Sequence, residues 1–169
     1  GEISVLNGQI VRPPVSGDGV FGMLASFFTP KDTKYLTALQ AAAGKSIYNV
    51  VVDKQSTGRA ILDGKNLRQR VEIIPLDTVS TNVIPDHIIE RAKQVGGKEH
   101  VNLALALIDY DPKVENAMKY AFGSTFICDD PNSAKAVTFD KTVHSRSVTI
   151  AGDLFNPAGT LTAGGNPGN

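Results

Sequence analysis

The tripeptide Gly44-Lys45-Ser46 matches the end of a phosphate-binding P-loop, in which backbone N–H groups and a lysine bind nucleotide phosphates. The full motif requires a glycine about five residues before Gly44, and this sequence has Leu39 there. The order of elements is also reversed, because the tripeptide follows a predicted helix and precedes a predicted strand. We therefore reject nucleotide binding at this position.

Three histidines and one cysteine are the remaining candidates for a metal site or a nucleophile. His87, His100 and His144 lie far apart, and none stands in a known His or Cys-His metal spacing, so we predict surface or cap positions. Cys128 is the single cysteine and cannot form an internal disulfide, which is typical of a reducing compartment. Its place in the apolar stretch FIC predicts a buried structural thiol rather than a nucleophile.

Two pairs of acidic residues, Asp109 with Asp111 and Asp129 with Asp130, suggest general acid–base chemistry. The start of a helix explains one member of each pair. Asp111 precedes Pro112 and Asp130 precedes Pro131, which is the order of an N-cap followed by the first helical residue. No serine stands in the G-x-S-x-G pattern of an esterase nucleophile. We expect a protein without catalytic residues, bound cofactor or metal.

Two clusters of basic residues are candidates for contact with DNA. Seventeen basic residues balance seventeen acidic ones, so any attraction to nucleic acid has to be local. Neither cluster interleaves aromatic residues, which favours contact with the phosphate backbone over reading of bases. A solvated surface is the alternative interpretation. The candidate residues are Arg59, Lys65, Arg68, Arg70, Lys141 and Arg146.

The elements that position these residues alternate between strands and helices. Residue patterns predict strands in GVFGMLASFFTP, IYNVVVD, VEIIPL, VNLALALIDY, TFIC and SVTIAG. In VNLALALIDY a helical start is the alternative. Helices are predicted after Asp32 or Thr33, Ser56 or Thr57, Asp86, Asp111 and Asp130, with glycine stops at Gly44, Gly97 and Gly123. No stretch approaches about 18 consecutive apolar residues, and the N-terminus lacks a signal-peptide pattern, so we expect no membrane association.

A weak internal repeat divides the chain. Ala38–Gly44 matches Ala117–Gly123 at a spacing of 79 residues, and a strand, an acidic turn and a helix are predicted after each. Two lobes of related build are expected, and chance is the alternative because only alanine and glycine match. The expected bounds are 1–19 for a linker or tail, 20–97 and 98–165 for the lobes, and 166–169 for a flexible tail.

The C-terminal segment is almost uncharged. Asp153 is the only charged residue among the last 23. Asn156-Pro157-Ala158-Gly159 predicts a type I turn that folds the chain into a hairpin whose second strand has no later strand to pair with. Monomeric proteins usually protect such an edge, so we predict docking with a strand of another chain, with glycines that permit close approach. A flexible tail is the alternative, which we accept only for 166–169.

This segment resembles the signature that closes the hinge domain of SMC (structural maintenance of chromosomes) proteins. The family signature reads G-D-[VL]-[FY]-[DN]-P-x-G-T-L-[ST]-G-G, and this sequence has GDLFNPAGTLTAGG. The segments TALQAAAGKSIYNVVVD and VEIIPLD also resemble the family, and the similarity spans about Val20 to Gly165. Its details are most similar to condensin SMC subunits of the CAP-E type. One departure is Ala163, which occupies the place of the first paired glycine and moves the pair to Gly164-Gly165.

The resemblance implies an α+β hinge fold of two related lobes, each with a small mixed sheet packed by helices. It implies a dimerisation domain that joins two SMC arms for chromosome condensation, with an edge strand of one lobe pairing with the other lobe of its partner. The implied interface residues are Gly152, Leu154, Phe155, Gly159, Leu161, Gly164 and Gly165.

The resemblance also implies partners and a location. The partner would be the hinge of the other condensin SMC subunit, with a weak homodimer as the alternative in isolation, and DNA would be contacted without sequence preference. A module that mainly binds DNA, with weak or no dimerisation, is the alternative function. The implied location is the nucleus and its chromosomes, with the cytoplasm as the alternative in interphase. The sequence lacks the heptad-patterned arms and ATPase heads of an SMC protein, so we expect a non-enzymatic middle segment.

Overall fold

The computed structural model describes residues 4–6, 9–11, 18–63 and 71–164. Its α-helices are α1 (Leu36–Ala43), α2 (Gln55–Asp63), α3 (Asp86–Gly96), α4 (Glu115–Phe122) and α5 (Pro131–Phe139). Its strands are β1 (Ser4–Leu6), β2 (Gln9–Val11), β3 (Val20–Met23), β4 (Phe28–Pro30), β5 (Val50–Val52), β6 (Ile73–Pro75), β7 (Val101–Leu103), β8 (Ile108–Tyr110), β9 (Thr125–Cys128), β10 (Arg146–Thr149), β11 (Leu154–Phe155) and β12 (Leu161–Thr162). β1 and β2 form an antiparallel pair within the segment expected to be a linker or tail.

Two mixed sheets form the framework, which confirms the predicted α+β class. The first sheet has the order β3-β5-β6, with β3 antiparallel and β6 parallel to β5. The second has the order β7-β9-β10-β11-β12, in which only β9 and β10 are parallel. Each parallel pair is joined through a helix, α2 in the first sheet and α5 in the second.

The two lobes repeat the same order of elements. A strand, a 3₁₀ turn, a second strand, a capped helix, a strand, a helix and a parallel strand occur first in β3 to β6 and again in β7 to β10. Helices α1 and α4 begin and end 79 residues apart. Asp32 and Asp111 each accept a hydrogen bond of 2.9 Å from the backbone N–H two residues later. The repeat is therefore structural, and the chance alternative is wrong.

The repeated elements meet across an approximate two-fold axis. β4 of the first lobe pairs antiparallel with β8 of the second, and α1 packs against α4. The main core lies between the lobes and includes Leu39, Val51, Met118, Phe122 and Val148. The lobes therefore share one continuous core.

Two stretches that we predicted as single strands are broken in the structure. GVFGMLASFFTP divides into β3 and β4 around a 3₁₀ turn at Leu24–Ser26, and VNLALALIDY divides into β7 and β8 around a turn at Ala104–Leu107. The break is required because the first half of each stretch pairs within its own lobe, whereas the second half pairs with the other lobe. The helical alternative for VNLALALIDY is met only by that single 3₁₀ turn.

Helix α3 packs with the second lobe, although the expected boundary at residue 97 places it in the first. It lies against α5 and β7, where Gly96 is buried next to Val101 and Val137. The predicted glycine stops are confirmed at Gly44 and Gly97, which have φ angles of +58° and +98°. Within the described ranges, no helix is long and apolar enough to cross a bilayer.

Candidate functional site at two sheet edges

The C-terminal hairpin forms as predicted. The N–H of Gly159 donates to the carbonyl of Asn156 at 2.8 Å, and the N–H of Asn156 donates to the carbonyl of Thr160 at 3.0 Å. The Asn156 side chain accepts a further hydrogen bond of 2.9 Å from the N–H of Ala158. Gly159 has φ +102°, a conformation that favours glycine, so its role is to close the turn.

The two faces of the hairpin differ in what covers them. Phe155 is opposite Leu161 in the register, so both side chains lie on the face that α5 covers. Phe155 is only 6% exposed because it packs within this chain, whereas Leu161 is 60% exposed. Leu154 and Thr162 share the opposite face, towards α1. Phe155 therefore has little surface left for a partner, and Leu161 is the apolar side chain that β12 leaves uncovered.

β12 is an edge strand, and no strand in residues 18–63 and 71–164 pairs with its outer side. Apart from Asp153, the described part of the segment from Ser147 onward carries no charged side chain. An uncharged edge of this kind is available for pairing with another chain.

The glycines before and after the hairpin serve contacts within this chain. The N–H of Gly164 donates to Asp153 Oδ1 at 2.5 Å. A Cβ added to Gly164 would lie 2.5 Å from the carbonyl oxygen of Ala151, so only glycine fits against this turn. Gly152 is buried with φ +95°. The close approach predicted for Gly164 is thus made to its own backbone, while Gly165 lies outside the described residues.

A second edge, missed by sequence reasoning, lies in the first sheet. β6 pairs with β5 on one side and with no strand of residues 18–63 and 71–164 on the other. A groove of about 400 Å³ lies between β6 and α2, and its lining joins the apolar residues Gly58, Leu62, Ile73 and Pro75 to the polar residues Gln55, Arg59 and Asp63. Leu62 is 51% exposed at this groove. The available signal was Pro75, since proline within a strand favours an edge.

A pocket of about 350 Å³ lies between α1 and the hairpin, beside β12. Its lining includes Thr37, Ala41, Tyr48, Thr162 and Gly164, and none of the lining residues that the structure describes has a charged side chain. Tyr48 is 52% exposed at this site. The uncharged surface of the hairpin thus continues from β12 into a concave surface on α1.

The six candidate DNA-binding residues have different surroundings. Arg59 is exposed on α2, and Lys141 is exposed after α5 in the other lobe. The guanidinium of Arg146 donates to Thr125 Oγ1 at 2.8 Å and to the carbonyl of Ala42, at the end of α1, at 3.4 Å. This geometry gives Arg146 a role in joining the two lobes. The remaining three, Lys65, Arg68 and Arg70, lie outside the described residues.

The polar and sulfur side chains considered for chemistry have structural roles. The prediction of a buried thiol is confirmed, because Cys128 is fully covered and burial raises its pKa to about 12. The three histidines are exposed, as predicted. His100 Nδ1 lies 2.9 Å from Asp129 Oδ2, and this hydrogen bond raises the pKa of His100. Among the residues with described positions, no group of histidine, cysteine and carboxylate side chains could hold a metal.

Comparison with known proteins gives a consistent family assignment. The sequence profile described as "SMC proteins Flexible Hinge Domain" matches residues 17–138. Human "Structural maintenance of chromosomes protein 2" is 43% identical over 145 residues, which is 86% of this chain and 12% of that protein. The protein of the same name from Saccharomyces cerevisiae is 42% identical over 148 residues, covering 86% of this chain and 12% of that protein. The chain thus spans about an eighth of the length of these curated relatives.

Solved structures agree with that assignment. The Pyrococcus furiosus SMC hinge domain superposes with a TM-score of 0.68 at 29% identity, covering 87% of this chain and 73% of that chain. An asymmetric dimer of the Geobacillus stearothermophilus SMC hinge domain gives a TM-score of 0.72 at 24% identity, covering 88% of this chain and 60% of that chain, which supports the fold.

Proposed function

Because this chain belongs to the SMC hinge family, we propose that it is a non-enzymatic dimerisation domain that joins two SMC subunits. The observation that carries the proposal is β12, an uncharged edge strand with Leu161 exposed beside it. Pairing this edge with another sheet satisfies its backbone groups and buries the leucine.

The edge that receives β12 is β6 of the partner. In the second lobe β11 lies on the outer side of β10, whereas in the first lobe the equivalent strand β6 has no such neighbour among the described residues. A partner strand completes the first sheet by occupying that place. If it runs antiparallel to β6, as β11 does to β10, Leu161 lies on the same face as the groove of Leu62.

The similarity to SMC2 proteins supports a more specific assignment. The relatives carry the name "Structural maintenance of chromosomes protein 2", and the partner is then the hinge of the other condensin SMC subunit. In this role the domain connects two long arms for chromosome condensation in the nucleus.

The test is to mix this chain with the hinge of the other condensin SMC subunit and to measure the molar mass by light scattering. The wild-type mixture should give a 1:1 complex. Leu161→Glu should weaken it by about 3 kcal/mol, roughly 100-fold in Kd, because the leucine contact with Leu62 is lost and the new carboxylate has to leave water at the joint.

The matched control is Gln94→Glu, which introduces the same charge at an exposed position of α3, the helix that packs against β7 at the opposite edge of the second sheet from β12. It should leave the complex unchanged. A mixture that stays monomeric at tens of micromolar, or a Leu161→Glu variant that binds as tightly as wild type, would refute the proposal.

DNA contact is the second candidate function, supported by the exposed positions of Arg59 and Lys141. Binding through these residues and the basic segment 65–70 would be weak, independent of sequence and strongly dependent on salt. Charge reversal of Lys65, Arg68, Arg70 and Lys141 should lower the affinity for a DNA duplex and leave hinge pairing intact; Arg59 stays unchanged in this test because it also lines the groove beside β6. Affinity that does not change would exclude this surface.

A further inference from the structure

Two equivalent positions of the repeat carry side chains of very different size. Tyr120 on α4 and Ala41 on α1 are 79 residues apart, the spacing that relates the two helices. Ala41 lines the pocket of about 350 Å³ beside β12. Tyr120 is 42% exposed. The α1 helix therefore borders a hole at the position where α4 carries a protruding aromatic ring.

Tyr120 lies on the side of α4 that faces the β6 edge. Asn116, Tyr120 and Gly123 follow one another at i, i+4 and i+7 and so share a face of the helix. Asn116 Nδ2 on this face donates to the carbonyl of Leu76, the residue after β6, at 3.0 Å. The corresponding face of α1, with Thr37, Ala41 and Gly44 among its residues, lines the pocket beside the hairpin.

The direction of strand pairing decides whether these two faces meet. When the second sheet is viewed with α1 above it, the hairpin lies on one side of β10. When the first sheet is viewed with α4 above it, the vacant side of β6 is the equivalent side. A partner that adds β12 antiparallel to β6 places its second lobe beside the first lobe of this chain, and a local two-fold axis normal to the sheet relates these two lobes because they repeat the same elements. Its α1 then lies on the same face as α4, and its pocket faces Tyr120.

We propose that Tyr120 of one chain inserts into the α1–hairpin pocket of a second copy of this chain. The inference rests on the proposed pairing of β12 with β6 and adds the contact that makes the joint specific. The pocket has room for one aromatic side chain, and its uncharged lining suits a phenol. Thr37 supplies a hydroxyl for the phenol O–H, and Tyr48 lies in the same pocket for offset ring packing.

The experiment moves the ring from one helix to the other. Sedimentation equilibrium of this chain alone gives the dimer Kd for wild type, Tyr120→Ala, Ala41→Phe and the double variant. Tyr120→Ala should weaken the dimer at least tenfold, since a buried aromatic anchor is lost from both joints. Ala41→Phe should also weaken it at least tenfold, because the new ring occupies the hole that Tyr120 enters.

The double variant is the decisive measurement. It fills each hole with the phenylalanine ring of Ala41→Phe and removes each Tyr120 ring, so its dimer should be at least tenfold tighter than that of either single variant. A merely structural effect on either helix gives no such rescue, and thermal unfolding of each monomer controls for folding. A double variant no tighter than the weaker single variant would overturn the inference.

A second measurement does not depend on packing. Thr37→Cys and Tyr120→Cys proteins, mixed under mild oxidation, should form a disulfide-linked pair that neither forms alone, while the buried Cys128 does not react. Absence of the link would overturn the inference. If this chain stays monomeric alone but binds the hinge of the other SMC subunit, the inference fails and the proposed function stands. If it binds neither, both fail.

Discussion

Replacing Asp153 with alanine isolates the contact that fixes the end of β12. The Asp153 carboxylate accepts the N–H of Gly164 at 2.5 Å, while its own N–H donates to Thr149 Oγ1 at 3.1 Å. Alanine keeps the backbone contact and removes only the carboxylate. Asp153→Asn is the matched control, because its amide oxygen can accept the same hydrogen bond without the charge.

The size of the effect follows from the kind of hydrogen bond that is lost. A hydrogen bond to a charged group contributes about 1.5–3 kcal/mol, and Asp153 is only half-buried, so the lower figure applies. A loss of about 1.5 kcal/mol raises the opening equilibrium of the hairpin end roughly tenfold. The opening is local, since β11 and β12 are two residues long and lie at the edge of the sheet.

Amide hydrogen exchange followed by NMR measures this equilibrium directly. The N–H of Gly164 and the N–H of Asn156, which closes the hairpin, should exchange roughly tenfold faster in Asp153→Ala. Amides of β9 should be unchanged, and Asp153→Asn should stay within about threefold of wild type. Equal acceleration in β9, which marks a global effect, or no change at Gly164 would refute the reasoning.

Two further predictions concern the second lobe. Gly96→Ala should lower the free energy of unfolding by about 1–3 kcal/mol, because the added Cβ would lie 2.6 Å from a methyl of Val101 and 2.7 Å from a methyl of Val137. Calorimetry measures this loss, and Gln94→Ala, on the exposed face of the same helix, is the control. His100 should titrate above 6.5 by NMR and return towards that value in Asp129→Asn, since the hydrogen bond favours the protonated ring. This pair therefore stabilises the fold fully below pH 6.5, and the contribution is lost as pH rises through the raised pKa; a His100 midpoint at or below 6.5 would contradict this.

Features set by local interactions could be predicted from the sequence. Asp32, Asp111 and Asp130 cap helices as expected because an N-cap needs only a side-chain oxygen and the N–H groups that follow it. The hairpin turn could also be predicted, since Asn156 and Gly159 are residue types that the geometry of this turn favours. Helix α2 begins at Gln55 rather than at the predicted Ser56 or Thr57, with Thr57 donating to the Asp53 carboxylate.

Features set by tertiary contacts could not be predicted from the sequence. The break between β7 and β8 occurs in a continuous apolar stretch, where the sequence has no turn residue. It exists because β8 has to reach β4 of the other lobe, and this is decided by the pairing of the two lobes. The approach of Gly164 to the backbone of its own chain could not be predicted for the same reason, because a glycine in the sequence does not reveal which backbone it approaches.

The positions of the two free edges favour a closed pair of chains over other assemblies. Among the described residues, each chain has one uncharged edge at β12 and one vacant edge at β6, and the two edges belong to different sheets. Pairing β12 with β12 would leave both β6 edges open, whereas two reciprocal β12–β6 joints leave none. Once the first joint has formed, the second is intramolecular and gains from a high effective concentration. A defect in one joint surface, such as Leu161→Glu, is present twice in the symmetric dimer and once in a dimer with an unmodified partner. The loss of affinity in the homodimer should therefore be close to the square of the loss measured against the other SMC hinge.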